Sequence, residues 1–441
     1  MACGPAFGKI YTYFNSKITF LMALFIFEVG SVICATATNS ISLIVGRAVA
    51  GIGAAGIQCG SLAIYAQLVP LRKRPIGMAL ITSVYSYVNF IARQLTFSSI
   101  WIHHYCHNNI RDKTQFEYSA RSAFQAKAVY ARFSWGALSG FSFTVLVFIL
   151  TDSNGYRCVV GLSNLDMAFY FNSLYWRLYC WADSFKRQPP SSMITDQKSS
   201  ATIPPRIISQ RTVYVSCIFT LLLSLGIYVH VYYLPIYFQV VKGMSAAQSG
   251  VNILAYVISI TVFIVVSGYV MTKWGFYVPL MWAGALIYVV GATLLYTITP
   301  STNAGEYTGY QIITGTGFGL SFQVSYIAVQ VVSSAQDLPI ALSLIVFFRS
   351  FGGAIGLDLA QLIFARILVD RLDVIQGIDS SAIIALGASE ISHKVDPSEL
   401  GFIREGYSRS ISRTFILPMV VAGIALICSG YIERKRIIQE V

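Results

Sequence analysis

The sequence predicts an all-α integral membrane fold with many spans, and three observations carry that prediction. The chain of 441 residues is 55% hydrophobic and only 11% charged, where soluble domains carry about 25% charged residues. Several apolar runs reach the roughly 20 residues needed to cross a hydrocarbon core. The basic residues behind the net charge of +12 gather in short segments between those runs, as they do in cytoplasmic loops. The partner of this basic charge is therefore the lipid bilayer, and nucleic acid is excluded. The eight cysteines are scattered, and Cys34, Cys59, Cys217 and Cys428 lie inside apolar runs. Without a CxxC pair they imply neither a disulfide framework nor a zinc site. The opening MACGPAFGKIYTYF lacks the basic start and compact apolar core of a cleaved signal peptide.

Taken in order, the first span falls at about 18–37, rich in Phe, Leu and Ile. The uncharged link Thr36 to Asn39 leads to a second span at about 41–66. The loop VPLRKRP places Arg72, Lys73 and Arg74 together, and a third span runs from near Pro75 to about 92. Residues 93–200 differ, with His103, His104, His107, Arg111, Asp112 and Lys113 standing in sequence without sustained periodicity. One stretch there, about 134–150, is apolar enough to span. Another, about 158–182, is interrupted by Asp166 and Arg177, and 186–206 reads as a polar linker rich in Pro and Ser. The pattern recovers at Val213, with spans at about 213–238, 251–270, 277–298, 309–333, 340–364 and 413–432 before the basic tail ERKR. Lys9 and Lys17 precede the first span and Arg72 to Arg74 follow the second, so both segments fall on one side. Arg206, Arg211, Lys273 and the tail join them, which makes this side cytoplasmic. The links 299–308 and 370–412 then face outward, with Lys242 as an outer exception. The organisation is a partial N-terminal bundle over 1–92, an irregular segment over 93–200, and a C-terminal bundle of about six spans over 201–441. Two bundles joined by a polar middle are what a two-halved secondary transporter requires.

GIGAAG at 51–56 matches GxGxxG, yet the window about 20 residues on, LRKRPIGM, holds no acid, and the glycines sit inside a spanning run. A dinucleotide site needs that acid and a preceding strand. Gly46, Ala50, Gly53, Ile57 and Gly56, Gly60 read instead as a small-residue face on which a second helix packs closely. GTGFGL at 315–320 and the Gly352/Gly356 pair read the same way. Charged residues inside spans are costly, about 2.5–3.5 kcal/mol each on insertion scales, and so face a cavity or a partner. Glu28, Arg47, Arg349 and Asp358 are of this kind. Each stands either on a substrate or proton path or, more plainly, at a helix contact or an interface. His230 is of the residue type whose ordinary pKa suits a proton carrier, but a lone histidine beside tyrosines is more often simply hydrogen-bonded. With Tyr233, Tyr237, Gln239, Gln311, Gln323, Tyr326 and Gln361 it supplies the few polar groups that a mostly apolar pocket for an amphipathic small molecule needs. His103 and His107, with Cys106, have the spacing of a metal pair, without a second pair to complete a site. No metal or cofactor is implied, and no nucleophile–base or paired-carboxylate constellation points to an enzyme.

Residues 43–75, LIVGRAVAGIGAAGIQCGSLAIYAQLVPLRKRP, resemble the fourth helix and following cytoplasmic loop of major facilitator superfamily transporters, in particular the fungal 14-span drug:proton antiporters. GKIYTYFNSK, 8–17, is similar to the family's gating loop between helices two and three, keeping Gly8 and Lys17 but replacing the usual aspartate with Thr12. The resemblance resumes at ATIPPRIISQRT and continues through YYLPIYFQVVKGMSAAQSGVN, GYQIITGTGFGL and the stretch from Pro339 to Gln361. It implies a two-bundle fold with an incomplete first bundle, since the family's first helix and most of its second would lie ahead of Met1. It implies proton-coupled efflux of small hydrophobic compounds at the plasma membrane by a chain acting as a monomer. It assigns proton coupling to Arg47 with Gly51 and Gly53, with Glu28 as a candidate partner. The family's glycine-proline-rich fifth-helix motif should follow Tyr85, where this chain reads SYVNFIARQLTFSS, and 91–195 shows no matching motif. Nutrient or siderophore uptake on the same fold, and a relative that does not transport, remain the alternative expectations.

Overall fold

The computed structural model describes residues 3–83, 204–372 and 397–437, and within them the chain is helical almost throughout. The irregular segment 93–200, with its expected span at 134–150, its interrupted stretch at 158–182 and its histidine cluster, lies outside the described residues. α1 is Gly4–Tyr13, α2 Ser16–Thr36 and α3 Ser40–Leu68, followed by one 3-10 turn at Leu71–Lys73. α4 runs over 74–83 to the limit of the described stretch. After a short helical turn at Pro205–Ile208 come α5 (Arg211–Ile236), α6 (Ala246–Trp274), α7 (Val278–Tyr296) and α8 (Ala304–Phe322). α9 (Val324–Val332), α10 (Leu338–Leu372), α11 (Pro397–Thr414) and α12 (Ile416–Ser429) complete the chain. Among the described residues eight helical segments are long and apolar enough to cross a membrane. At 1.5 Å per residue the 21 residues of α2 reach about 31 Å, the thickness of a hydrocarbon core.

Local chemistry explains the boundaries. Asn15 caps α2, its side chain accepting from the Lys17 backbone N–H, and Asn39 caps α3 through Ser42. α6 opens with a Ser245–Gln248 capping box and closes on Gly275 at φ 73°, a left-handed position that a Cβ would strain. Pro235 sits inside α5 and has no N–H to give the helix ladder. The helix widens just beyond it into a π-turn at Tyr237–Val241, and Ser249 Oγ donates to the Pro235 carbonyl at 3.2 Å. A similar break parts α11 from α12 at Phe415, three residues before Pro418.

Two sequence expectations need correction. GKIYTYFNSK is not a loop, because Gly8 lies in the middle of α1 and the loop shrinks to Phe14 and Asn15. Part of the link 370–412 is also helical: α10 continues to Leu372 and α11 starts at Pro397, with 373–396 outside the described residues. α11 carries too many charges to register as an apolar run. Its buried face is built from Ile403, Tyr407 and Ile411, at 0%, 5% and 0% exposure. These residues sit four apart and so share one stripe.

The helices form two groups. α2 pairs with α3, α1 packs on α3 and more extensively on α10, and α5 to α12 form the second bundle around α5. The cations expected on the inner side are Arg72, Lys73, Arg206, Arg211, Lys273 and the tail's Arg434, Lys435 and Arg436. Arg371 lies in the last turn of α10, and Arg404, Arg409 and Arg413 lie along α11, Arg413 in its last turn.

Candidate functional site

The α2–α3 pair is a glycine-faced contact of two antiparallel helices. A Cβ on Gly53 would overlap the Phe27 backbone, its Cα at 2.6 Å, and one on Gly30 would stand 2.6 Å from the Ala50 Cα. Gly46 faces Cys34, and Gly56 faces Ala23 and Phe7. The small-residue reading of 46–60 therefore describes this face. Gly51 is different: a Cβ there would meet nothing within 4 Å. Gly51 and Gly53, paired in the family motif, point to different surroundings.

Arg47 lies one turn before Gly51 with its side chain exposed. Glu28 is half-buried on α2, and its Oε2 has no hydrogen-bond partner. Among the described residues no ion pair joins the two. The register places Arg47 opposite Ile33, about five residues or roughly 7.5 Å along the axis from Glu28. The structure thus puts both charges on one helix pair but does not bring them together.

In the second bundle, most of the predicted cavity-lining residues are core. His230 is fully buried; its Nδ1 lies 3.4 Å from the Tyr256 hydroxyl and its ring stands edge-on to Tyr256, Tyr288 and Phe415. Tyr233 packs on Phe364, and Tyr237 donates its hydroxyl to the Thr299 carbonyl at 2.7 Å. Both belong to an apolar cluster with Ile403, Tyr407 and Phe415. Gln311 donates to the Tyr307 carbonyl at 3.2 Å. Gln239 is half-buried and Gln361 is exposed on α10. This interior is also where polar atoms have no partner among the described residues: His230 Nε2, Tyr288 Oη, Gln311 Oε1 and Gln323 Oε1.

Arg349, which the sequence marked only as a charge within a span, also enters this interior. It is half-buried beside the Tyr326 hydroxyl, and its guanidinium carbon lies 5.2 Å from the Phe322 ring centre. Its spacing within FFRSFGG carried no signal of Phe322 or Tyr326, which come from other helices. Asp358, also marked in the sequence, is exposed on α10.

The two groups meet through several contacts near the basic ends. A Cβ on Gly8 would strike Ser343 and come to 3.0 Å of the Pro339 carbonyl on α10. Gln323 donates to Thr82 Oγ1 at 3.1 Å, Arg74 Nη1 reaches Gln330 Oε1 at 3.5 Å, and Gly268 faces Ala79 and the Pro75 carbonyl. Gly8 is therefore a contact point between the groups, while Lys17 sits exposed at the first turn of α2. On the opposite side Lys242 ties two turns together, donating to the Pro300 and Thr302 carbonyls at 2.7 Å each. Desolvation pulls its ammonium below the ordinary lysine range, and the Glu306 charge opposes that.

Comparison with known proteins agrees with this architecture. The Major Facilitator Superfamily profile matches residues 122–357, and the Sugar (and other) transporter profile matches 1–74. The match thus runs through 122–195, where motifs alone found no counterpart. The chain is 31% identical to an MFS-type efflux pump of Arthroderma benhamiae, over 98% of this chain and 81% of the relative. It is 29% identical to the efflux pump roqT of Penicillium rubens, over 98% and 81%. Among solved structures, a bacterial homolog of the human lysosomal transporter Spinster superposes with a TM-score of 0.57 at 13% identity, covering 97% of this chain and 86% of that one. The fucose:proton symporter FucP of E. coli gives 0.53 at 10% identity, over 96% and 87%.

Proposed function

We propose that this chain, which belongs to the major facilitator superfamily and is a multi-pass membrane transporter, exports small hydrophobic compounds in exchange for protons. The observation that carries the direction is the likeness to fungal efflux pumps along nearly the whole chain. Arg47 is the coupling residue in this reading. It is a permanent charge placed within a spanning helix, on an exposed face with no fixed partner among the described residues, and so is available to a carboxylate whose protonation changes. Glu28 lies on the neighbouring helix with one oxygen already unpartnered, and Gly51 leaves open space one turn from Arg47.

Solute recognition belongs to the second bundle. Tyr326, Gln323 and Arg349 offer polar groups at the boundary between the helix groups. His230, Tyr233, Tyr237 and Gln311 support them from within the core, and Gln239 and Gln361 flank them. The contacts from Gly8 to Ser343 and from Thr82 to Gln323 close the inner side in this state. Exchange then requires these contacts to part, which makes Gly8 a gating position, with Lys17 at the turn beside it. The site of action is the plasma membrane and the working unit a monomer.

Reconstitution of the full chain into proteoliposomes with rhodamine 6G as probe tests this. An acid interior is expected to drive dye inward through transporters whose cytoplasmic face points outward, and a protonophore is expected to abolish the accumulation. Dye movement indifferent to the gradient would sink proton coupling. Accumulation only under the reversed gradient would point to uptake instead.

A further inference from the structure

The inner ends of α6, α7 and α12 carry a feature that solute exchange does not use. Between α7 and α12 runs an open groove of about 300 Å³, lined by Trp282, Ala283, Leu286, Leu426, Ser429 and Gly430. Its polar wall groups are already satisfied: Trp282 Nε1 donates to the Ser429 carbonyl at 2.9 Å, and Ser429 Oγ donates to the Leu426 carbonyl at 2.6 Å. Nothing inside the groove is left to hold a polar ligand, so its complement is hydrocarbon. The exposed Leu286 and Ile427 place it on the membrane-facing surface.

The basic end of this groove is charged. The Arg434 guanidinium carbon lies 5.1 Å from the Trp282 ring centre, Arg436 lies 4.5 Å from that of Phe276, and Lys273 Nζ lies 5.9 Å from that of Tyr269. Arg434 and Arg436 are exposed. The neighbouring Glu433 is taken by Lys435 at 3.1 Å. A guanidinium lying over a ring keeps its N–H edges free for a phosphate. The tail that carries these arginines is also fixed in place. Tyr277 donates its hydroxyl to the Glu433 carbonyl at 2.8 Å, and Ile437 N–H donates to the Gly275 carbonyl at 3.0 Å. The cations are thus held over the groove mouth rather than carried on a free end.

We infer that this groove and its arginines form a binding site for one anionic phospholipid of the inner leaflet, with an acyl chain along α7 and α12 and the headgroup phosphate at Arg434 and Arg436. The charge at the mouth selects the headgroup, and the satisfied apolar walls select the chain. The site depends on the inward orientation of the tail and is independent of whether the chain exports or imports its solute.

Trp282 reports on the site directly. The full chain is reconstituted in phosphatidylcholine vesicles doped with 6,7-dibromo-acyl phosphatidylglycerol or with phosphatidylcholine bearing the same chains. The part of tryptophan quenching that Trp282→Phe removes is then compared. Phosphatidylglycerol is expected to quench at lower mole fraction, with the preference falling about fivefold per arginine replaced in Arg434→Gln and Arg436→Gln. Quenching by the brominated phosphatidylcholine stays unchanged in those variants, which certifies their fold, and the charge-keeping Arg434→Lys retains the preference. Equal quenching by the two lipids in the wild-type chain overturns the inference, whatever the variants do. So does a preference that survives loss of both arginines. Displacement of the quenching by millimolar inorganic phosphate would show that the mouth takes free phosphate, which also overturns a lipid site.

Discussion

The α2–α3 pair and the second bundle solve the same problem, burial in a membrane, in opposite ways. α2 and α3 meet through glycine and alanine at backbone distance, with Gly53 on Phe27 and Gly30 on Ala50. Their two charges are left at the edges of that contact. The second bundle encloses bulky aromatics, Tyr233, Tyr237, Tyr256 and Tyr288 among them, together with buried polar atoms that have no partner. A backbone-to-backbone contact permits no adjustment, whereas an interior with spare polar groups can repack around water or a solute. The contrast assigns rigidity to the first group and adaptability to the second.

The largest test of that contrast is a bulky residue in the glycine contact. Gly53→Leu is expected to prevent α2 and α3 from closing, since even modest overpacking costs about 1–3 kcal/mol. Thermal unfolding in detergent should show the loss, and Gly51→Ala, with open space at its Cβ, should hold or slightly raise the melting temperature. Equal effects at the two glycines would remove the basis for calling this pair rigid. Next in size is Arg47→Ala. It is expected to reduce gradient-driven transport by at least about tenfold while leaving the unfolding free energy within about 0.5 kcal/mol of wild type, because an exposed side chain supports little.

Smaller effects compare the two kinds of tyrosine. Tyr237→Phe loses a made hydrogen bond and should cost about 1 kcal/mol, while Tyr288→Phe removes an unpartnered hydroxyl and should be neutral or stabilising. Denaturation of both variants side by side checks this, and a larger loss at Tyr288 would mean that its hydroxyl already has a partner. The smallest effect concerns the tail. The hydrogen bond and charge of Lys435, with Arg211 nearby, hold Glu433 below its usual value of 4.5. A depressed carboxylate stabilises above its unfolded pKa and loses that contribution as pH falls through the folded one. The protection of the Ile437 amide against exchange, relative to the intrinsic rate at each pH, should therefore be high at neutral pH and fall below about pH 4.5, and Glu433→Gln should flatten that dependence.

Much of this fold was legible because a bilayer imposes length and apolarity on every span. The helices α2, α3 and α5 to α10 follow the apolar runs, and the glycine spacing of 46–60 announced a close helix contact before its partner was known. α11 was missed because it is amphipathic and charged, and a criterion built on apolar runs cannot see a stripe of Ile403, Tyr407 and Ile411. Gly8 was read as loop because a polar decapeptide can also be the end of a helix. The site was less legible still. The types Tyr, Gln and His identify groups able to hydrogen-bond, but only packing decides that Tyr237 spends its hydroxyl on Thr299 while Tyr326 keeps its own beside Arg349. That pairing joins residues from α9 and α10, and no local spacing encodes it.

The central claim, that Arg47 couples protons to a solute held elsewhere, separates two activities that are usually measured together. In proteoliposomes, exchange of labelled for unlabelled rhodamine 6G at equal pH reports solute binding and turnover, and accumulation under a pH gradient reports coupling. Arg47→Gln is expected to keep the exchange and lose the accumulation. Loss of both in a chain that unfolds at the wild-type temperature, or retention of both, would contradict the account.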